Sequence, residues 1–131
     1  MVCLDSDILV GFLRKDENAV AFLEDLEKRG EVLNTTIINV CELFEGANLF
    51  HQKEEAEKSV EQLVNRINVL YLSKQSAQLF GKITSELNKK GTKLEDFDVL
   101  IAAIALENNE AFVTRNLKHF NRIEKLKVIE W

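Results

Sequence analysis

Apolar positions along the chain follow two alternating rhythms. Short runs suited to β-strands are Val2-Cys3-Leu4, Glu31-Val32-Leu33-Asn34, Ile67-Asn68-Val69-Leu70-Tyr71-Leu72, Ala111-Phe112-Val113 and Val128-Ile129-Glu130-Trp131. The first four stop at polar residues: Asp5, Thr35-Thr36, Ser73 and Thr114. Between the runs, apolar residues recur at helical spacing. Val20, Leu23 and Leu26 follow Asp16, a candidate N-cap; Ile37, Val40, Cys41, Phe44 and Ala47 follow Thr36; Val60, Leu63 and Val64 mark a third helix. Ala77, Phe80, Ile83 and Leu87 lie between a Ser73 cap and a Gly91 stop. A fifth helix is predicted from about Asp96 to Asn108, and its eight consecutive apolar residues, Val99 to Leu106, mark it as buried nearly all round.

Strands alternating with helices predict an α/β fold: a three-layer α/β/α sandwich around a parallel central sheet of about five strands. There is no internal repeat, low-complexity tract or linker, no proline and only five glycines, so a single domain spanning 1–131 is expected. In open parallel sheets, ligands bind beyond the carboxyl ends of the strands. That rule directs attention to the polar residues that end them.

Asp5 ends the first strand, and Asp7 follows at the strand-to-helix turn; either could simply cap the helix that begins there. Glu42 lies among apolar residues in Asn39-Val40-Cys41-Glu42-Leu43-Phe44, whereas Glu45, one turn later, reads as a solvated-face residue. Asp98 opens the buried helix, where the helix dipole favours an acid, and Asp96 is its candidate N-cap. Thr114-Arg115-Asn116 follows the fourth strand. If the first and fourth strands are neighbours, Asp5, Asp98 and Asn116 converge. Carboxylates that close stay ionised only with a cation between them. Oxygen ligands without Cys or His suit Mg²⁺ or Mn²⁺, which activate water and steady in-line displacement at phosphorus.

Composition narrows the class further. Apolar residues at 46% and charged residues at 30% describe an ordinary globular chain. No apolar run approaches the roughly 20 residues that span a bilayer. Two acids in the first seven residues, without a basic segment, argue against a secretory leader and for a cytoplasmic protein. Cys3 and Cys41 both sit among aliphatic residues and are expected to be buried and reduced; with only His51 and His119 besides, a zinc site is excluded. The net charge of −5 opposes nucleic-acid binding, but between Thr114 and Lys127 five basic residues face the single acid Glu124. That stretch reads either as a solvated C-terminal helix or as a patch steering phosphates, with Arg115 and Lys118 as candidate RNA-backbone contacts.

Together, Leu4-Asp5-Ser6-Asp7-Ile8-Leu9, Cys41-Glu42-Leu43 with Gly46-Ala47, Asp98-Val99-Leu100-Ile101-Ala102-Ala103, and Val113-Thr114-Arg115-Asn116 with Phe120 resemble the PIN-domain ribonucleases, and within them the VapC toxins of toxin–antitoxin pairs. The resemblance covers essentially the whole chain. It implies a Mg²⁺ (or Mn²⁺) site that cuts single-stranded RNA, a cognate antitoxin and a homodimer. The family's three acids fall on Asp5, Glu42 and Asp98, the metal ligands; its usual asparagine or serine after the first acid falls on Asp7; its fourth acidic position falls on Asn116, an amide. Asp96, Asp7 and Thr114 are possible auxiliary groups. Two rivals stand beside this reading. One is a PIN-like module that binds RNA or protein without cutting, which Asn116 permits. The other is a haloacid-dehalogenase-type phosphatase, with Asp5 as nucleophile and Asp7 as acid/base.

Overall fold

The computed structural model describes residues 1–131. In chain order the elements are β1 (Val2–Leu4), α1 (Ser6–Leu13), α2 (Glu17–Lys28), β2 (Leu33–Thr36), α3 (Ile37–Leu49), α4 (Lys53–Val64), β3 (Asn68–Leu70), α5 (Lys74–Lys89), α6 (Asp96–Glu107), β4 (Ala111–Val113), α7 (Leu117–Phe120) and β5 (Val128–Ile129). The five strands form one parallel sheet in the order β3-β2-β1-β4-β5, as the alternation predicts.

The predicted caps are found. Asp16 accepts the Asn18 and Ala19 amides, and Ser73 accepts Ser76 N–H in a reciprocal capping box. Gly91, two residues beyond α5, has φ +68°, a left-handed conformation that a side chain rarely adopts.

Side chains alternate across the sheet. Cys3 and Phe112 face α5 and α6, in a core with Ile83, Leu87, Ile101 and Phe120. Val2, Leu4 and Val113 face the opposite way, towards Ile8, Leu9, Leu23, Leu43 and Leu63. Helices therefore cover both faces, which is why the strands read as unbroken apolar runs.

Three expectations are corrected. β2 lies two residues later than the Glu31–Asn34 run, because the β-branched threonines carry the ladder and Thr35 Oγ1 donates to the Leu4 carbonyl at 2.8 Å. Cys3 is buried, but Cys41 is exposed: α3 buries Val40, Leu43 and Ala47, which turns the next residue outward. The basic stretch 114–127 holds only the single turn α7. Phe120, Ile123 and Leu126 are all buried at a spacing of three, and Lys125 has φ +68°, so no helix continues.

The order of strands locates the site. β1 leads outward to β2 and then β3, and the chain then crosses back to place β4 on the other flank of β1. The connections reverse direction between β1 and β4, which opens a crevice at their carboxyl ends. Asp5 and Thr114 are the first residues beyond those two strands.

Candidate active site

Asp5 is anchored from several directions. Its backbone N–H donates to the Val113 carbonyl at 2.9 Å, extending the β1–β4 ladder into the crevice. Its side chain caps α1, with Oδ1 accepting Ser6 N–H at 2.7 Å. Oδ1 also accepts from Asn39 Nδ2 at 3.0 Å, and Oδ2 accepts from Thr114 Oγ1 at 2.6 Å. The residue is only 7% exposed. Burial pushes the Asp5 carboxyl up to about 7; Asp7 and Glu42 push the same way, while the Thr114 and Ser6 hydrogen bonds oppose it.

Glu42 is half-buried on α3, and its Oε1 accepts Ser6 Oγ at 2.7 Å. Burial raises its pKa, the Ser6 bond opposes this, and Asp98 adds to the rise. Asn39 ties the two acids together. Its Nδ2 lies 3.0 Å from Asp5 Oδ1, 3.0 Å from Ser6 Oγ and 3.4 Å from Glu42 Oε1, while its own oxygen completes the capping box with Thr36. Neither Asn39 nor Ser6 was assigned a role from sequence. The Thr36-x-x-Asn39 spacing announces a cap, and a cap is what hides the second role of the amide.

Asp98 stands on the other side of the crevice, in the first turn of α6, with its side chain 18% exposed. Its Oδ2 lies 3.1 Å from His119 Nδ1, and the Asn116 amide nitrogen lies 2.9 Å from the same ring nitrogen. That one nitrogen serves either neighbour but not both: bearing a hydrogen it donates to Asp98, and without one it accepts from the Asn116 amide; the sequence gives His119 no such role. The two halves meet where Asn116 N–H donates to Thr114 Oγ1 at 2.9 Å. Asp96 is exposed and is not the N-cap of α6; that position is Glu95, without a side-chain bond. It lines a separate cavity of about 370 Å³ with Lys93, Leu94, Glu95, His119 and Arg122.

Asp7 shares the Thr114 hydroxyl with Asp5 at 3.1 Å but is held mainly by other partners. Its Oδ1 accepts Trp131 Nε1–H at 2.8 Å and its Oδ2 accepts Arg115 N–H at 2.8 Å. Arg115 lies beside it, and Arg115 and Lys118 are both exposed.

As the side chains stand, no three carboxylate, imidazole or thiol groups converge closely enough to ligate one ion. Asp5 and Glu42 nevertheless share one hydrogen-bonded frame, and Glu42 senses Asp98. The donors are all oxygen, and burial with mutual repulsion raises the pKa of Asp5 and Glu42. A crevice short of positive charge and furnished with hard ligands fits a Mg²⁺-type ion.

A parallel sheet with a buried acid at its β1/β4 switch point defines an α/β domain with a carboxylate-bearing crevice. The PIN-domain family profile matches residues 2–126, and the chain belongs to the PIN-domain family. It is 30% identical over 128 residues to Ribonuclease VapC1 of Haemophilus influenzae, covering 98% of this chain and 96% of that one. It is 34% identical over 94 residues to the tRNA(fMet)-specific endonuclease VapC of Salmonella typhimurium, covering 72% and 71% of the two chains. Among solved structures it superposes on VapBC2 of Rickettsia felis bound to a promoter DNA fragment, with TM-score 0.92, 27% identity and coverage of 100% and 99%. VapBC-1 of nontypeable Haemophilus influenzae gives TM-score 0.85 at 30% identity, covering 100% and 98%. The phosphatase alternative is thereby set aside: the fold is that of PIN domains, and Asp7 is engaged by Trp131 and Arg115.

Proposed function

We propose that this chain is a Mg²⁺- or Mn²⁺-dependent endoribonuclease cutting single-stranded RNA, acting in the cytoplasm as the toxin of a toxin–antitoxin pair. The observation that carries the reading is Asp5. It is buried at the switch point and caged by Ser6, Asn39 and Thr114, with Glu42 on the same frame. The relatives named as ribonucleases, and the solved neighbours described as VapBC complexes, support an RNA substrate and a cognate antitoxin. By family resemblance the toxin pairs as a homodimer. No helix is long and apolar enough to cross a membrane.

Asp5, Glu42 and Asp98 would hold the cation. When bound, such an ion supplies a Lewis acid that lowers the pKa of water and offsets charge at phosphorus. The chain's own residues do the rest. Ser6, Asn39 and Thr114 fix the rotamers of Asp5 and Glu42, so little reorganisation remains when substrate arrives. His119, with the hydrogen on Nδ1, holds Asp98.

Cations flank the acids despite the acidic total. Arg14 and Arg115 line an open cavity of about 570 Å³ next to Ser6 and Asp7, and Lys93 and Arg122 line the cavity beside His119. A strand lying across the crevice would meet positive charge on both sides, with Arg115 and Lys118 as backbone contacts.

The test is cleavage of single-stranded RNA in Mg²⁺ or Mn²⁺, with and without chelator. Expected is cutting that chelation stops and that Asp5→Asn abolishes in a protein of unchanged circular dichroism. Cleavage surviving either treatment overturns the reading. Specific RNA binding without cleavage would establish the non-catalytic alternative, which the His119 partnership of Asp98 favours.

A further inference from the structure

One side chain joins the acidic cluster to the cationic rim. Trp131, two residues beyond β5, donates its indole N–H to Asp7 Oδ1 at 2.8 Å. The other Asp7 oxygen accepts the Arg115 backbone N–H at 2.8 Å and lies 3.1 Å from Thr114 Oγ1. That hydroxyl has one proton to give, and Asp5 Oδ2 is nearer, at 2.6 Å. Asp7 is therefore held by two N–H donors, one of them from Trp131. The opposite side of the same residue holds Arg115. The Arg115 Cζ sits 3.5 Å from the indole centroid, and its Nε donates to the Trp131 carbonyl at 3.1 Å. Arg115 forms no ion pair with an Asp or Glu side chain. The ring edge is seated against α1, where a Cβ on Gly11 would come within 3.2 Å of Trp131 Cη2.

We propose that Trp131 is a positioning residue with two separable roles. Its N–H fixes Asp7, and through the 114–115 backbone the Thr114 hydroxyl that orients Asp5. Its ring face holds the Arg115 guanidinium ordered and free of Asp and Glu side chains at the mouth of the crevice, where it receives an RNA phosphate. The second role rests on the nuclease reading above; the first concerns the geometry of Asp5 in the free protein.

The physical basis is pre-organisation. A free arginine must surrender rotamer freedom when it binds, whereas one already stacked and bonded to a carbonyl has surrendered it beforehand. Stacking on an indole leaves the positive charge and the outer N–H fork available. An N–H directed at a carboxylate is a charge-assisted bond, strong enough to set the Asp7 rotamer.

Two substitutions separate the roles. Trp131→Phe keeps a ring under Arg115 and removes the N–H; kcat is expected to fall roughly tenfold, the scale of a lost bond to a charged group, with KM within about twofold of the parent. Trp131→Ala removes both; kcat falls similarly and KM rises roughly fivefold, matching Arg115→Ala. Melting temperatures of all variants are measured alongside. If both Trp131 variants keep kcat and KM within twofold while only the melting temperature falls, the side chain is packing and the proposal is overturned. Trp131 is also the only tryptophan, so its fluorescence reports this one environment without any turnover. Arg115→Ala and Asp7→Asn should each change the emission of the folded protein; unchanged emission in both overturns the proposal. Should the parent protein fail to cut RNA in Mg²⁺ and Mn²⁺, the nuclease reading falls. The emission still decides the geometry. The affinities of the two Trp131 variants for single-stranded RNA then decide whether the ring presents Arg115 to phosphate, and equal affinities overturn that role.

Discussion

The carboxylate of Asp98 lies 3.1 Å from the Nδ1 nitrogen of His119, so the third acid of the crevice already has a partner of its own. That pairing is part-exposed, with Asp98 18% and His119 39% accessible, and pairs of this kind add little to stability. Asp98 also presses on Glu42. Asp98→Asn should therefore shift stability without metal by no more than about 1 kcal/mol, in either direction, while cleavage falls by at least roughly a hundredfold. Thermal melts in chelator and a single-turnover cleavage assay check the two halves. A loss of several kcal/mol would instead mark Asp98 as a cap for α6.

Asn39 is fully buried and neutral among acids. Asn39→Asp keeps its size and replaces a shared donor by a further negative charge. Without metal the variant should lose roughly 2–4 kcal/mol. Saturating Mg²⁺ should raise its melting temperature more than it raises that of the parent, since a cation offsets the added repulsion. Denaturation curves with and without Mg²⁺ measure the difference.

Glu110 provides a pH dependence far from the crevice. It is buried immediately before β4, with Oε1 accepting from Asn34 Nδ2 at 2.8 Å and Oε2 without a partner. Burial holds its pKa above the ordinary value; Glu31 adds to the rise, while the chain's amino group and Asn34 oppose it. A carboxyl whose folded pKa exceeds its unfolded one contributes stability below the unfolded value and loses it as pH rises through the folded value. Glu110→Gln should therefore match the parent near pH 4 and be more stable by about 1 kcal/mol above pH 7. Melting temperatures across that range test the sign.

Two helical glycines should respond oppositely to alanine. At Gly81 in α5 a Cβ meets nothing within 4 Å, so Gly81→Ala should stabilise by roughly 0.5–1 kcal/mol through helix propensity. At Gly11 in α1 a Cβ would lie 2.9 Å from Ala19 Cβ and 3.2 Å from the Trp131 ring. Overpacking there should outweigh the propensity gain and leave a net loss of about 1–2 kcal/mol. Urea denaturation of both variants gives the comparison directly.

The sequence by itself determined the features that depend on neighbours along the chain. Short apolar runs and helical stripes marked the elements, and Asp16, Ser73 and Gly91 set helix ends, because caps and left-handed stops act over a few residues. It also placed Asp5 and Thr114 at strand ends, where ligands of parallel sheets bind. Only the tertiary structure decided who meets there. Strand order alone brings Thr114 to Asp5 across 109 positions and Trp131 to Asp7 across 124. It also gave Asn39 its acids, Asp98 its histidine and Cys41 its exposure. Contacts so distant in sequence leave no local periodicity to read. Asn39, His119 and Trp131 carry local patterns that an ordinary cap, a rim turn or a strand end would produce equally well.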